Sequence, residues 1–273
     1  MLAVFRRMTL GVGLAVALAC ALPTAGFAKG KKEATDEFAV FVVGNTLFTL
    51  YHELGHALID KLEIPVLGRE EDAVDGLAVL MMLPEDDTED PVAEAMILSA
   101  ADGYIMAYEG EDEDDLAFWG EHSLDLQRYA AVVCLVYGSD PEGWVELAEL
   151  TEMPEEQQER CPGIFAQTLL SWDALLDRHY RPEGKAGGGR IKLLFKRPGK
   201  GIDPKLVSFL KESREIRDAV AYVSDMFLLP ARFDVVFESC DEANAYYDPQ
   251  TGNVSMCYEL VAYFAELYAE SEQ

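Results

Sequence analysis

The segment His52-Glu53-Leu54-Gly55-His56 sets two imidazoles four residues apart with a carboxylate next to the first. On an α-helix, positions i and i+4 share a face, with Cβ atoms about 6 Å apart, so both rings can reach one zinc ion. Glu53 is displaced toward the open side of such an ion, where a carboxylate can take a proton from an activated water. The chain has 4 histidines, and two of them fall in this motif. A zinc held only for structure is usually closed by four protein ligands, often cysteines, whereas a catalytic zinc needs a third protein ligand and an open position. The third ligand is expected downstream, in Gly68-Arg69-Glu70-Glu71-Asp72-Ala73-Val74-Asp75. Glu71 and Asp75 are one helical turn apart. Glu71 is the expected ligand, and Asp75 the expected acceptor for the far nitrogen of a ligand imidazole, which fixes its tautomer. Glu70 and Asp75 remain alternatives for the ligand. All these acids also suit a helix N-terminus, where negative charge is favourable.

The elements that must position these groups can be read from periodicity and breakers. Phe41, Val42, Leu47, Phe48, Tyr51 and Leu54 recur at helical spacing and predict a helix over 38–59, closed by Pro65 and Gly68. A second helix is expected over 70–83, stopped by Pro84, and a third over 92–108. Further helices are expected over 116–137, 142–150 and 154–180. The acidic run 111–115 reads as a solvated loop; a calcium site there lacks the glycine-containing loop spacing. Residues 181–201 are rich in glycine and basic residues, and within them 191–195 reads as a strand. A helix over 204–227, a strand over 233–237, a hairpin of 244–247 with 254–257 around Asp248-Pro249-Gln250-Thr251-Gly252-Asn253, and a closing helix over 258–268 complete the chain. The expected architecture is α+β: mostly helical, with a small sheet supplied by the C-terminal third. Residues 29–180 form a metal-binding helical lobe and 181–273 an α/β lobe, joined in one catalytic unit. His179, at a helix end, reads as a surface residue.

Composition limits the partners. The 273 residues are 50% apolar and carry a formal charge of −28, a globular balance that repels phosphate backbones and argues against nucleic acid. Residues 1–28 read as a secretory signal peptide: Arg6 and Arg7, an apolar run over 10–22, and Gly26 and Ala28 before the cleavage point. A lipoprotein anchor at Cys20 is the competing reading, against which Ala17-Leu18-Ala19 is a poor match. The mature chain, expected to be secreted or periplasmic, has no later stretch of membrane-spanning length. It keeps four cysteines, Cys134, Cys161, Cys240 and Cys257. In an exported protein these suggest two disulfides, and proximity favours Cys134–Cys161 and Cys240–Cys257 over the two other pairings or free thiols.

The chain resembles the DUF4344 metallopeptidase family of bacterial exported proteins over nearly all of its mature length. The matching pieces are Tyr51-His52-Glu53-Leu54-Gly55-His56-Ala57-Leu58-Ile59, Leu67-Gly68-Arg69-Glu70-Glu71-Asp72-Ala73, Glu121-His122-Ser123-Leu124-Asp125, Cys134 with Tyr137-Gly138-Ser139-Asp140-Pro141, Asn244-Ala245-Tyr246-Tyr247-Asp248-Pro249, and Cys257-Tyr258-Glu259-Leu260. A more distant likeness is to gluzincin peptidases of the neprilysin type, which combine HExxH with ExxxD, an Asn-Ala-Tyr-Tyr strand, and a His followed six residues later by an Arg. That likeness implies a zincin-like fold in which Asn244 and Ala245 hold substrate. It also implies that His122 hydrogen-bonds the developing oxyanion, and that Arg128 fixes a substrate carbonyl or a supporting acid. The strand precedes HExxH in those enzymes and follows it here, which implies a circularly permuted version. The function expected is an exported zinc-dependent peptidase acting on peptide or protein substrates with Glu53 as general base. The alternative is a non-catalytic, zinc-stabilised peptide-binding protein of the cell envelope, for which Glu53 has no use.

Overall fold

A computed structural model describes residues 29–84, 90–109, 118–182 and 190–271. The expected leader at 1–28, with Cys20, and the acidic run 111–115 lie outside the described residues. The elements are, in order, α1 (Lys29–Leu62), α2 (Glu70–Met82), α3 (Pro91–Glu109), α4 (Asp125–Ser139), α5 (Val145–Leu150), α6 (Glu155–Leu176), β1 (Ile191–Phe195), α7 (Pro204–Glu212), α8 (Arg214–Met226), β2 (Phe233–Glu238), β3 (Ala245–Asp248), β4 (Asn253–Cys257) and α9 (Tyr258–Ser271). The architecture is α+β, and among the described residues the strands are confined to the last third, as the sequence predicts. Among the described residues, no helix is long and apolar enough to cross a membrane.

Helix α1 is the axis of the molecule. Its Phe41, Leu50, Leu54 and Leu58 are buried, and it packs against α2, α3, α8, α9, β3 and β4. A helix contacted on so many sides must be apolar nearly all round, and a polar side chain on it must find partners. Asn45 does so by donating from Nδ2 to the carbonyls of Phe41, 3.0 Å, and Ser99, 2.8 Å, tying α1 to α3. Glu63 ends the helix in a left-handed conformation, φ 52°, and Ile64 N–H closes back on the Ile59 carbonyl at 2.9 Å. Helix α2 then returns along α1 with Glu70, Glu71 and Asp72 in its first turn, where the helix dipole favours acids.

The pair α1–α2 approaches closely at Gly55. A Cβ added there would lie 2.8 Å from Cγ1 of Val74, a fully buried side chain on α2. The absence of a side chain at 55 thus lets the first two turns of α2 sit beside His52 and His56.

The sheet has the order β1-β2-β4-β3. β1 pairs in parallel with β2, and β2 with β4, while β3 runs antiparallel to β4 and forms an edge. The β3–β4 hairpin turns through Gly252, whose φ of 71° suits a residue without Cβ and whose N–H donates to Asp248 O at 2.7 Å. Two disulfides are present, Cys134–Cys161 between α4 and α6 and Cys240–Cys257 between the segment after β2 and the end of β4. They hint at an oxidising, extracellular compartment.

Helix α1 starts at Lys29 rather than at 38, and four further helices differ from expectation. Residues 118–124 form turns, and α4 begins only at Asp125, because the preceding segment is held away by side-chain contacts described below. Over 142–150 the chain turns until Trp144 and is helical from Val145. The expected helix over 154–180 ends as α6 at Leu176, followed by a 3-10 turn over Asp177–His179. The expected helix over 204–227 is two helices. Ser213 leaves helical geometry at ψ 125°, and its Oγ accepts the Ile216 N–H at 3.3 Å, starting α8 afresh.

Introducing a methyl at the α1–α2 contact should be costly. Gly55→Ala is expected to lower the unfolding free energy by about 1–3 kcal/mol in urea titrations of chelator-treated protein. The loss in Gly55→Ala/Val74→Ala should be smaller than the sum of the two single losses. Additive losses would show that the two positions do not limit the approach.

Candidate metal centre

His52, Glu53 and His56 project from one stretch of α1 into a cleft of about 1010 Å³. The cleft runs between α1, α3, the first turn of α2, the start of α4, β3 and α9. His52 and Glu53 are 4% and 6% exposed, so their charges are settled by neighbours rather than by water.

Three donor atoms converge. His52 Nε2 lies 3.2 Å from His56 Nε2, and Oε2 of Glu71 lies 3.0 Å from the first and 3.3 Å from the second. The remaining ring nitrogens are taken: His52 Nδ1 is 2.6 Å from Asp75 Oδ1, and His56 Nδ1 is 2.7 Å from Glu70 Oε1. Carboxylates at both Nδ1 atoms keep the hydrogens there. That leaves two Nε2 lone pairs and a carboxylate oxygen facing one another, an arrangement that calls for a cation at its centre. A tetrahedral ion with bonds of about 2.0–2.1 Å has ligand-to-ligand edges of about 3.3–3.4 Å. The observed triangle is close to one face of such a tetrahedron, so these residues fit a divalent cation and leave its fourth side open to the cleft.

The electrostatics agree. Burial alone would lower the pKa of His52, yet the hydrogen bonds to Asp75 and Glu71 outweigh it and lift the ring to about 9. Burial would raise the Asp75 carboxyl, but Arg128 and His52 hold it down at about 2. Burial likewise acts on Glu71 and is overcome by hydrogen bonds from His122, His52 and His56, which keep its carboxyl far below the usual range. Glu53 moves the other way: burial pushes its carboxyl up, against the pull of the two imidazoles and of the Tyr247 backbone N–H that hydrogen-bonds it. A raised carboxyl beside the open position is suited to accepting and returning a proton.

The other anticipated residues are also here, in more specific roles. Arg128 forms a bidentate pair with Asp75, Nε to Oδ2 and Nη2 to Oδ1, each 2.8 Å. His122 Nε2 lies 2.9 Å from Glu71 Oε2, and its half-exposed ring stacks along His52 at 5.9 Å. Asn244 and Ala245 line the cleft across from α1, and Asn244 Oδ1 accepts the Ala245 N–H at 2.9 Å. His179 does not line the cleft; its Nε2 accepts from its neighbour Arg178.

Sequence reasoning missed several supports. Glu70 orients His56, a role that its suitability for a helix N-terminus conceals. Arg69 Nη1 donates to the His122 carbonyl at 2.9 Å, and Ser123 Oγ to Asp72 at 2.7 Å; together they hold residues 118–124 out of helix α4 and against α2. Tyr247 reaches Asp60 Oδ2 with its hydroxyl at 2.5 Å and Glu53 with its N–H. The repeated tyrosine of Asn244-Ala245-Tyr246-Tyr247 is a signal for the last of these, but not for its partner.

The fold and site define an α+β protein with a His/His/Glu cluster suited to a metal ion. The chain belongs to the DUF4344 family, whose model carries the description "Putative metallopeptidase" and matches residues 20–176 and 197–273. No curated protein and no solved structure matches the chain.

The carboxylates behind the two imidazoles should matter unequally. Asp75→Asn is expected to weaken zinc binding about 10–100-fold in chelator competition, because Asp75 is buried and water cannot readily replace it at His52 Nδ1. Glu70→Gln should cost less than about tenfold, since that side chain is 46% exposed and water can replace it. Equal losses would show that burial does not set the hold on the rings.

Proposed function

We propose that the protein is an exported, zinc-dependent metallopeptidase that hydrolyses peptide bonds. The observation that carries this reading is the triangle of His52, His56 and Glu71 in a cleft that the buried Glu53 also lines. Two imidazoles and one carboxylate with an open fourth direction is a donor set used by catalytic zinc. A merely structural ion has no need of Glu53.

In the proposed mechanism His52, His56 and Glu71 hold the ion, with Asp75 and Glu70 fixing the rings. A divalent cation so held supplies Lewis acidity, which acidifies a water molecule and polarises a carbonyl. Glu53 takes the proton of the attacking water and returns it to the leaving amine. His122, half-exposed beside Glu71 in the cleft, serves the developing oxyanion; donors of this type are worth about 2.7–4 kcal/mol of barrier. Arg128 acts through Asp75.

The substrate is proposed to lie extended along β3. The antiparallel register and the bond from Cys257 N–H to Asn244 O, 3.1 Å, place 244, 246 and 248 in the hydrogen-bonded positions. Ala245 and Tyr247 therefore aim their backbone groups away from β4, toward the cleft. Glu53 takes the Tyr247 N–H, which leaves the Ala245 carbonyl and the Asn244 amide to engage a peptide backbone as an added strand would. An antiparallel edge strand flanking the metal-bearing helix supports a zincin-like arrangement. Its position after that helix in the chain supports circular permutation, with residues 29–180 supplying the metal and 181–273 the strand. The disulfides and the 1–28 leader support export.

Metal analysis of the purified mature protein should give one ion per chain, lost in His56→Ala. Glu53→Gln should keep the ion while hydrolysis of a peptide library falls about 10²–10⁴-fold. Equal turnover in parent and Glu53→Gln would refute the mechanism. Retained metal with no turnover in the parent would instead favour a peptide-binding role.

A further inference from the structure

We infer that Tyr104, on α3, is a positioning residue for the metal centre: its ring carries Arg128, and through Arg128 and Asp75 it fixes the orientation of His52. The inference rests on the reading of His52, His56 and Glu71 as metal ligands. Helix α3 contributes no ligand, yet Tyr104 reaches the site from it.

The chain of contacts is short. The Arg128 Cζ lies 4.4 Å from the centroid of the Tyr104 ring. The edge of the guanidinium is committed to Asp75 by two parallel hydrogen bonds, which leaves a flat face for the aromatic ring. Arg128 Nη2 and His52 Nδ1 meet on the same oxygen, Asp75 Oδ1, at 2.8 and 2.6 Å. Wherever the guanidinium sits, that oxygen follows, and with it the imidazole plane. Asp125, whose carboxylate also attracts Arg128, offers a competing anion in the lining of the same cleft. The ring of Tyr104 keeps the guanidinium flat and on Asp75 rather than tilted toward Asp125.

A second contact reinforces the first. Tyr104 meets Phe48 edge-on, with centroids 5.8 Å apart and planes at 86°. Phe48 stands one helical turn before His52 on α1. Tyr104 thus touches the turn that carries His52 and the cation that holds its partner acid. Gly103 permits this approach, since a Cβ there would collide with Oδ1 of Asn45 and push α3 away from α1.

The test is zinc affinity of the full chain in competition with a chromogenic chelator, a readout independent of turnover. Tyr104→Leu should bind zinc about tenfold more weakly, and Tyr104→Phe, which keeps the ring, within about twofold of the parent. Arg128→Lys, which cannot make the bidentate pair, should weaken binding about 10–100-fold. The double variant Tyr104→Leu/Arg128→Lys should be no weaker than Arg128→Lys by more than about twofold, because the ring acts through the guanidinium. Tyr104→Met gives the same comparison if the leucine variant does not fold. Parent-like affinity in Tyr104→Leu or Tyr104→Met, or losses that multiply in the double variant, would overturn the inference while leaving the metal site intact. A parent that binds no zinc would overturn the metal-site reading itself, and this inference with it.

Discussion

A buried imidazole and a half-buried one, with their lone pairs pointed at one another, are the constraint around which this molecule is arranged. Left alone, His52 Nε2 and His56 Nε2 at 3.2 Å would repel, and a third electron-rich atom, Glu71 Oε2, makes the position worse. Carboxylates on the far side of each ring hold the Nδ1 hydrogens in place, and the hydrogen bonds of His52 to Asp75 and Glu71 raise its ring despite burial. A divalent ion satisfies all three donors together, so metal binding and the local fold are coupled.

The fold supplies that geometry by bringing α2 unusually close to α1. Four acids, Glu70, Glu71, Asp72 and Asp75, occupy the first two turns of α2, and each has a distinct partner: His56, the shared donor centre, Ser123, and His52 with Arg128. Acids at a helix N-terminus are ordinary on electrostatic grounds. Here the same placement turns them toward α1, and Gly55 removes the side chain that would keep them apart. The strongly acidic chain thereby uses a few of its carboxylates for histidine orientation, where burial makes them effective.

Much of this is legible in the sequence, for identifiable reasons. The spacing of His52 and His56 needs only helical geometry, and Glu71 with Asp75 repeats the same turn, so residue types and spacing narrow the third donor to Glu70, Glu71 or Asp75, and only the fold brings Glu71 to both Nε2 atoms. The hairpin announces itself by Asp248-Pro249 and Gly252, and the disulfides by cysteine proximity. Boundaries that depend on tertiary contact are not legible. The apolar run after 116 has helical spacing, yet Arg69 and Asp72, 53 and 51 residues before their partners, hold the segment around His122 and Ser123 in turns. The break at Ser213 is a capping event hidden inside an amphipathic pattern. Tyr104 gives no signal at all, since an aromatic on a helix is ordinarily core, and only the position of Arg128 distinguishes it.

The donors for the ion come from residues 52–71, and the proposed substrate strand from 245–248, so something must keep the two in register across the cleft. Tyr247 is that joint. Its N–H meets Glu53, its hydroxyl meets Asp60 two turns further along the same helix, and Lys61 lies over its ring at 5.5 Å. Cys240–Cys257 secures the hairpin at the opposite end, at the entry to β3. The carboxylate assigned to proton transfer is therefore the group touched from both sides, by the imidazoles on α1 and by the strand that faces them. A shift of the hairpin along α1 would disturb the base before it disturbed the ion. On the proposed reading, metal retention and proton transfer are for this reason separable, since they draw on different parts of the chain.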